Sequence, residues 1–209
     1  MILYQSLTHQ NSRICIVENR FSIEELLGEL SNPKIYKNEL EKLKLEHRKK
    51  EFLGIRVALK EALDGAEKEI EYTYDGKPIL KDGSHKISFS HCKKCVAVIV
   101  HPEFDVGIDV ELPSAKLKKI HTRFLGQKEL EFYQETNSFD FLRIAWSAKE
   151  ALYKIIGDKA YNFAEQLHIQ PFQVDKKGTL NVLHTDTEKI YKLHYLLLDT
   201  YTLAYCIDE

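Results

Sequence analysis

At 209 residues the chain has room for one large domain or two small ones and for a sizeable core. Hydrophobic residues at 44% and charged residues at 30% are ordinary for a soluble globular protein, and a formal net charge of -2 removes any general argument for a nucleic-acid partner. The opening Met1-Ile2-Leu3-Tyr4-Gln5-Ser6 lacks the basic-then-apolar pattern of a signal peptide, and no apolar run approaches the roughly 20 residues needed to cross a bilayer. Cys15, Cys92, Cys95 and Cys206 are too few and too scattered for a disulfide framework, so the expected setting is the cytoplasm, with no membrane partner.

In chain order, Ile2–Thr8 and Ser12–Val17 read as paired strands around a polar turn at His9-Gln10-Asn11. Ser22 with Glu25 three residues on is a capping box for a helix through Leu30, broken by Asn32-Pro33. One long amphipathic helix is predicted from Lys37 to Leu63, closed by Asp64-Gly65, with Lys49, Lys50 and Arg56 as a basic flank. Tyr72–Leu80 is extended around an Asp75-Gly76 turn that exposes Lys77. Lys86–Ser90 alternates, which points Ile87 and Phe89 inward and Ser88 and Ser90 outward, and Cys95–Val100 reads as a strand buried on both faces.

Val106-Gly-Ile-Asp-Val-Glu111 alternates apolar and acidic residues, so Asp109 and Glu111 share one strand face about 6–7 Å apart. A basic helix, Ala115–Leu125, stops at Gly126, and Gln127–Thr136 is a second helix carrying Glu129. Asn137-Ser138 caps the helix that contains Trp146-Ser-Ala-Lys-Glu-Ala-Leu-Tyr-Lys154 and ends at Gly157, with Glu150 and Lys154 one turn apart. The remainder reads as a meander: Leu167–Val174, Thr179–His184, Ile190–Leu198 and Tyr201–Ile207, with turns at 175–178 and 185–187. Lys60-Glu-Ala-Leu63 recurs as Lys149-Glu-Ala-Leu152. With the similar order of elements, this makes an α+β pseudo-dimer the expected fold class: a pseudo-twofold repeat of two similar helix-plus-antiparallel-sheet halves, 1–103 and 104–209.

Asp109, Glu111 and Glu150 are oxygen donors suited to Mg²⁺, a hard ion that combines one or two carboxylates with substrate phosphates and water. The bland alternative is a solvated strand face and a surface Glu150–Lys154 pair contributing about 0.3–0.5 kcal/mol. Cys92-Lys-Lys-Cys95 has the spacing of a redox or zinc pair, but no second pair completes a site. Lys116, Lys118, Lys119, His121 and Arg123 form either a solvated helix face or a docking surface for an acidic partner.

Gly107-Ile-Asp-Val-Glu111 and Trp146–Lys154 resemble the two signature motifs of the 4′-phosphopantetheinyl transferases, most closely the long, surfactin-synthetase-activating type. The resemblance extends to Gly76-Lys77-Pro78, to the Ser90-His91 pair, to Arg123-Phe124 with Glu129, and to the closing strands, covering roughly residues 50–207. It implies transfer of the 4′-phosphopantetheine arm of coenzyme A to a serine of an apo acyl or peptidyl carrier protein. Adenosine 3′,5′-bisphosphate is the other product, and Mg²⁺, with Mn²⁺ as the alternative, is the cofactor. It also implies a monomeric pseudo-dimer fold with coenzyme A in the cleft between the halves. By the same resemblance Asp109, Glu111 and Glu150 are metal ligands; Lys77, Ser90, His91, Asp109, Lys154 and Arg56 contact coenzyme A; and Glu150, Lys154 and Glu129 are the catalytic candidates. Glu150 is the first choice of base, with Asp109 or Glu129 acting through a water as the alternatives. Cys92 and Lys159 depart from the family pattern, which has a small hydroxyl residue and a glycine at those places. A non-catalytic coenzyme A- or carrier-binding module and a metal-dependent pyrophosphate hydrolase are the competing readings.

Overall fold

Antiparallel sheets backed by long helices carry the chain in the computed structural model, which describes residues 4–157 and 162–209. Ile2, Leu3 and Lys159 lie outside the described residues. The chain divides into two compact units, Met1–Glu103 and Phe104–Glu209. Among the described residues no helix is long and apolar enough to cross a membrane.

In the first unit β1 (Tyr4–His9) and β2 (Ser12–Glu18) pair across Gln10 and Asn11, both at positive φ, as a tight hairpin requires. The predicted capping box opens α1 (Ile23–Gly28): Ser22 Oγ accepts from the Glu25 amide, and the Glu25 carboxylate accepts from that of Ser22. The single helix expected over 37–63 is instead two, α2 (Lys37–Lys42) and α3 (Glu46–Ala62), with Leu43 and Leu45 extended between them. No residue of α2 is fully buried and only Leu40 packs against the core under α3, too little to sustain one helix through both. A small hairpin, β3 (Ile70–Tyr72) and β4 (Pro78–Leu80), precedes β5 (Lys86–His91) and β6 (Cys95–His101). The sheet runs β1-β2-β6-β5, and α3 packs on it through Leu53, Val57 and Ala58 against Cys15, Val17, Val96 and Val98. All of β6 is buried, as its apolar run predicts. Ser88 and Ser90, expected to face solvent, are buried too, beside Ile99 and Ala97 of β6.

The second unit starts with β7 (Val106–Glu111) and continues through α4 (Leu117–Ile120), a 3₁₀ turn at His121–Arg123, α5 (Gln127–Thr136) and α6 (Phe139–Ile156). The expected helix over 115–125 is thus only its central turns. A short helix not foreseen, α7 (Phe163–Gln166), leads into β8 (Leu167–Ile169), β9 (Lys177–His184), β10 (Lys189–Leu197) and β11 (Thr202–Ile207). The strand expected over 167–174 ends at Ile169, because Pro171 has no amide to give to a ladder. The order is β7-β11-β10-β9-β8, all antiparallel. In each unit the last strand returns to pair with the strand that precedes the helices, β6 with β2 and β11 with β7.

Ser138 caps α6 by accepting from the Phe141 amide, and Gly157 at φ 62° ends it. Leu142, Ile144, Ala145, Ala148, Ala151 and Leu152 of α6 are sealed in the core with Leu193, Ala204 and Cys206. Small residues where α6 crosses β7 let the two backbones come close, and this approach builds the site below.

Candidate active site

Gly107, Asp109 and Glu111 share the face of β7 that meets α6. A Cβ on Gly107 would stand 2.0 Å from the Ala151 carbonyl oxygen, so helix and strand touch backbone to backbone there. The two acids further along β7 therefore meet the helix one turn either side of Glu150. Lys154 Nζ donates to Asp109 Oδ1 at 3.1 Å and to the Ile108 carbonyl at 2.6 Å, and Asp109 is 4% exposed. Trp146, one turn before Glu150, donates a hydrogen bond to the Glu111 carboxylate. Its ring is held edge-on to Phe124 at 5.1 Å and lies 6.1 Å from Phe163.

The electrostatics follow from three carboxyls sharing this small volume with one ammonium. Burial and the neighbouring Asp109 raise the Glu150 carboxyl to about 7; Lys154 works against them and Glu111 adds to them. Burial and Asp109 also push Glu111 up, offset by Trp146, Lys154 and Lys116. Such a site is short of positive charge at neutral pH. Its donors are hard oxygens, and Thr202 Oγ1, cross-strand from Glu111 on the same face, is buried without a hydrogen-bond partner. The chemistry of the donor set therefore fits a divalent cation such as Mg²⁺. As the side chains stand, no group of three His, Cys, Asp or Glu among the described residues is gathered to hold a metal ion, since Lys154 is on Asp109 and Trp146 on Glu111.

Glu129, a catalytic candidate in the sequence, is placed elsewhere. It is 5% exposed, and Oε2 accepts from the Gly126 amide at 2.8 Å and from Lys149 Nζ at 2.6 Å. Oε1 accepts from the Ile169 amide at 2.5 Å. With both oxygens bonded, Glu129 starts α5 and pairs with a buried lysine. Burial pushes the Lys149 ammonium down, and Glu129 pulls it back up.

In the first unit Arg48, on α3, bridges Glu51 Oε2 at 2.7 Å and His91 Nε2 at 3.0 Å. Beside them a concavity of about 630 Å³ is lined by Asn19, Glu46, His47, Lys50, Glu51 and Lys93. Among the basic residues of α3, the position of Arg48 against His91 singles it out. Arg56 is not presented to solvent in the same way. Its guanidinium lies 3.2 Å from the centre of the Phe52 ring and 5.4 Å from that of Tyr36, and donates to the Phe52 carbonyl. Burial lowers it to about 10 against the pull of Tyr72 and Tyr36. Lys77 closes the turn before β4: its carbonyl accepts from the Thr73 amide and its amide donates to Thr73 Oγ1. Cys92 and Cys95 oppose each other as buried thiols with Sγ atoms 3.7 Å apart. The contact with the Cys92 sulfur, and then burial, hold the Cys95 thiol far above its usual range.

Residues 105–206, nearly the whole second unit and every member of the acidic site, match the family model of the 4′-phosphopantetheinyl transferase superfamily. The matched segment, 102 of the 209 residues, is similar to that superfamily. Comparison with curated proteins finds no match. Asp109, Glu111, Glu150 and Lys154 all lie inside the matched segment.

Proposed function

We propose that the protein transfers 4′-phosphopantetheine from coenzyme A to a serine of an apo acyl or peptidyl carrier protein, in a Mg²⁺- or Mn²⁺-dependent reaction that releases adenosine 3′,5′-bisphosphate. The observation that carries this reading is the acidic group on β7 and α6, with Glu150 raised to about 7 beside Asp109 and Lys154. The serine oxygen forms a bond to the β-phosphorus of coenzyme A while the bond from that phosphorus to the bisphosphate breaks. Glu150, poised near neutral pH, takes the serine proton. Lys154 stabilises the charge that develops on the leaving phosphate. Asp109, Glu111 and Glu150 would hold the cation, which when bound neutralises pyrophosphate charge. A carboxylate committed to a metal is a weaker base, so Glu150 carries both roles only if it exchanges between them.

Lys77, Ser90 and His91 remain proposals for coenzyme A contacts, and we add Arg48 in place of Arg56. Arg48→Ala is expected to raise KM for coenzyme A about tenfold with kcat within threefold. Arg56→Ala is expected to lower the melting temperature through lost ring packing and to leave KM within twofold. Steady-state kinetics and thermal unfolding on the two variants check the assignment, and equal KM effects would undo it. The exposed Lys116, Lys118, Lys119 and Arg123, with Lys116 acting on Glu111, support an acidic carrier as the partner. The shared order of elements in the two units supports the pseudo-repeat.

The deciding experiment incubates the protein with coenzyme A, Mg²⁺ and apo carrier proteins and measures the intact mass of the carrier. A gain of one phosphopantetheine is expected. Coenzyme A binding without mass gain on any carrier would favour a binding module, and bisphosphate release without carrier would favour a pyrophosphate hydrolase.

A further inference from the structure

Lys149 is the only lysine among the fully buried side chains of the described residues, and nothing in the proposed chemistry uses it. Its ammonium donates to the Phe124 carbonyl at 2.6 Å, to Glu129 Oε2 at 2.6 Å and to the Phe163 carbonyl at 3.3 Å. Glu129 in turn holds the amides of Gly126 and Ile169. The segment before α5, the start of α7 and the end of β8 are therefore all tied to one point on α6. That point is the residue before Glu150 and five before Lys154. On the same flank, Trp146 and Tyr153 pack on Phe163.

The first unit contains the same device. Lys60 occupies the matching place in Lys60-Glu61-Ala62-Leu63. It donates to the Glu29 carbonyl at 2.7 Å and pairs with Glu67 Oε1 at 3.1 Å, and Glu67 accepts from the Ser31 amide. In both units the lysine takes a carbonyl and the glutamate takes the amide two residues later: Glu29 and Ser31 in one, Phe124 and Gly126 in the other. The contexts differ. Lys60 and Glu67 keep 23% and 17% of their side-chain surface, whereas Lys149 and Glu129 keep 0% and 4%. The residue after Lys60 is an exposed Glu61, and on the strand face toward it stand Cys15 and Val17 rather than acids.

We infer that Lys149 and Glu129 form a clip that positions Glu150 and Lys154 against Asp109 and Glu111, while the Lys60–Glu67 counterpart serves stability alone. A buried pair with every donor and acceptor engaged fixes one setting of a helix more sharply than apolar packing does, at a cost in desolvation. Here the setting it fixes is the depth and rotation of α6, one side chain from the proposed base.

The inference rests on the transferase reading only for its activity readout. Lys149→Met, the neutral double variant Glu129→Gln/Lys149→Met, and Lys60→Met are compared with the unaltered protein by thermal unfolding, Mn²⁺ titration and turnover on a carrier. Lys149→Met is expected to lower the melting temperature, to weaken Mn²⁺ binding about tenfold and to reduce kcat about thirtyfold or more, with carrier KM within threefold. Removing both charges should restore most of the melting temperature, with Mn²⁺ affinity and kcat still low. Lys60→Met should lower the melting temperature and leave both other quantities within twofold. Recovery of Mn²⁺ affinity and kcat in the double variant, or equal losses in Lys60→Met, would overturn the inference. If the unaltered protein neither binds Mn²⁺ nor transfers, the proposed function fails instead. The clip is then decided by amide exchange at residues 150–154 in the double variant: a rate raised about tenfold supports it, and an unchanged rate refutes it.

Discussion

Replacing Glu150 with glutamine is expected to raise the melting temperature of the metal-free protein above neutral pH and to lower turnover by two to four orders of magnitude. The stability half follows from linkage. Folding moves this carboxyl from its ordinary 4.5 to about 7, through burial and the adjoining Asp109 and Glu111. A carboxyl whose folded value is raised contributes its full stability below the unfolded value, and the contribution is lost as pH rises through the folded one. The loss therefore begins near pH 4.5 and is complete somewhat above pH 7. At about 1.4 kcal/mol per unit it amounts to no more than about 3 kcal/mol. Glutamine keeps the shape and removes the titration, so the variant's advantage should be absent at pH 4 and reach a plateau by pH 8, at about 2–4 °C per kcal/mol. Saturating Mg²⁺ should close the gap by stabilising the unaltered protein more than the variant. The activity half is the ordinary cost of removing a general base. Unfolding scans across pH, with and without Mg²⁺, check the first half, and single-turnover mass analysis checks the second. A variant less stable than the parent at pH 8 would contradict the crowding of negative charge inferred here.

Legibility in the sequence tracked the range of the interactions involved. Asp109, Glu111, Glu150 and Lys154 could be proposed from spacing within one strand and one helix, because period 2 and period 3.6 fix which side chains share a face. Glu129 could not be placed, since what decides its role arrives from Lys149, 20 residues on, and from the Ile169 amide, 40 residues on. The sequence motif offered it as an acid, and the tertiary fold engages both its oxygens in hydrogen bonds. Arg48 and Arg56 posed a similar problem. Both lie on α3, but eight residues put them about 80° apart around the helix, so only one can face His91. Which one depends on how the helix meets the sheet. The break at residues 43–45 is hidden because the helical apolar spacing runs on through residues of which only Leu40 packs on the core, while Leu45 is exposed. Ser88 and Ser90 read as outward by alternation, which reports polarity and not whether a face is covered.

Gly107→Ala is expected to be the most damaging single methyl in the second unit. The added Cβ would lie 2.0 Å from the Ala151 carbonyl oxygen, 3.0 Å from its carbonyl carbon and 3.1 Å from Ile155 Cγ1. Two of these are backbone atoms, which no rotamer change can remove, so α6 and β7 must part by an ångström or more. Overpacking of this kind costs about 1–3 kcal/mol, and more where backbone must move. The displacement falls where the strand supplies Asp109 and Glu111 and the helix supplies Glu150 and Lys154. A shift of that size at a reacting centre is worth about a hundredfold in rate. Gly54 on α3 provides the contrast. Its Cβ would meet only Val96 side-chain methyls, the nearest at 3.2 Å, and alanine improves helix propensity by about 1 kcal/mol, so Gly54→Ala should be near neutral. Melting temperatures and Mn²⁺ affinities of the two variants, with turnover where the protein folds, separate the cases. A Gly107→Ala protein that melts with the parent and turns over within threefold of it would mean that helix and strand do not meet backbone to backbone. The placement of all four charged side chains would then have to be abandoned with it.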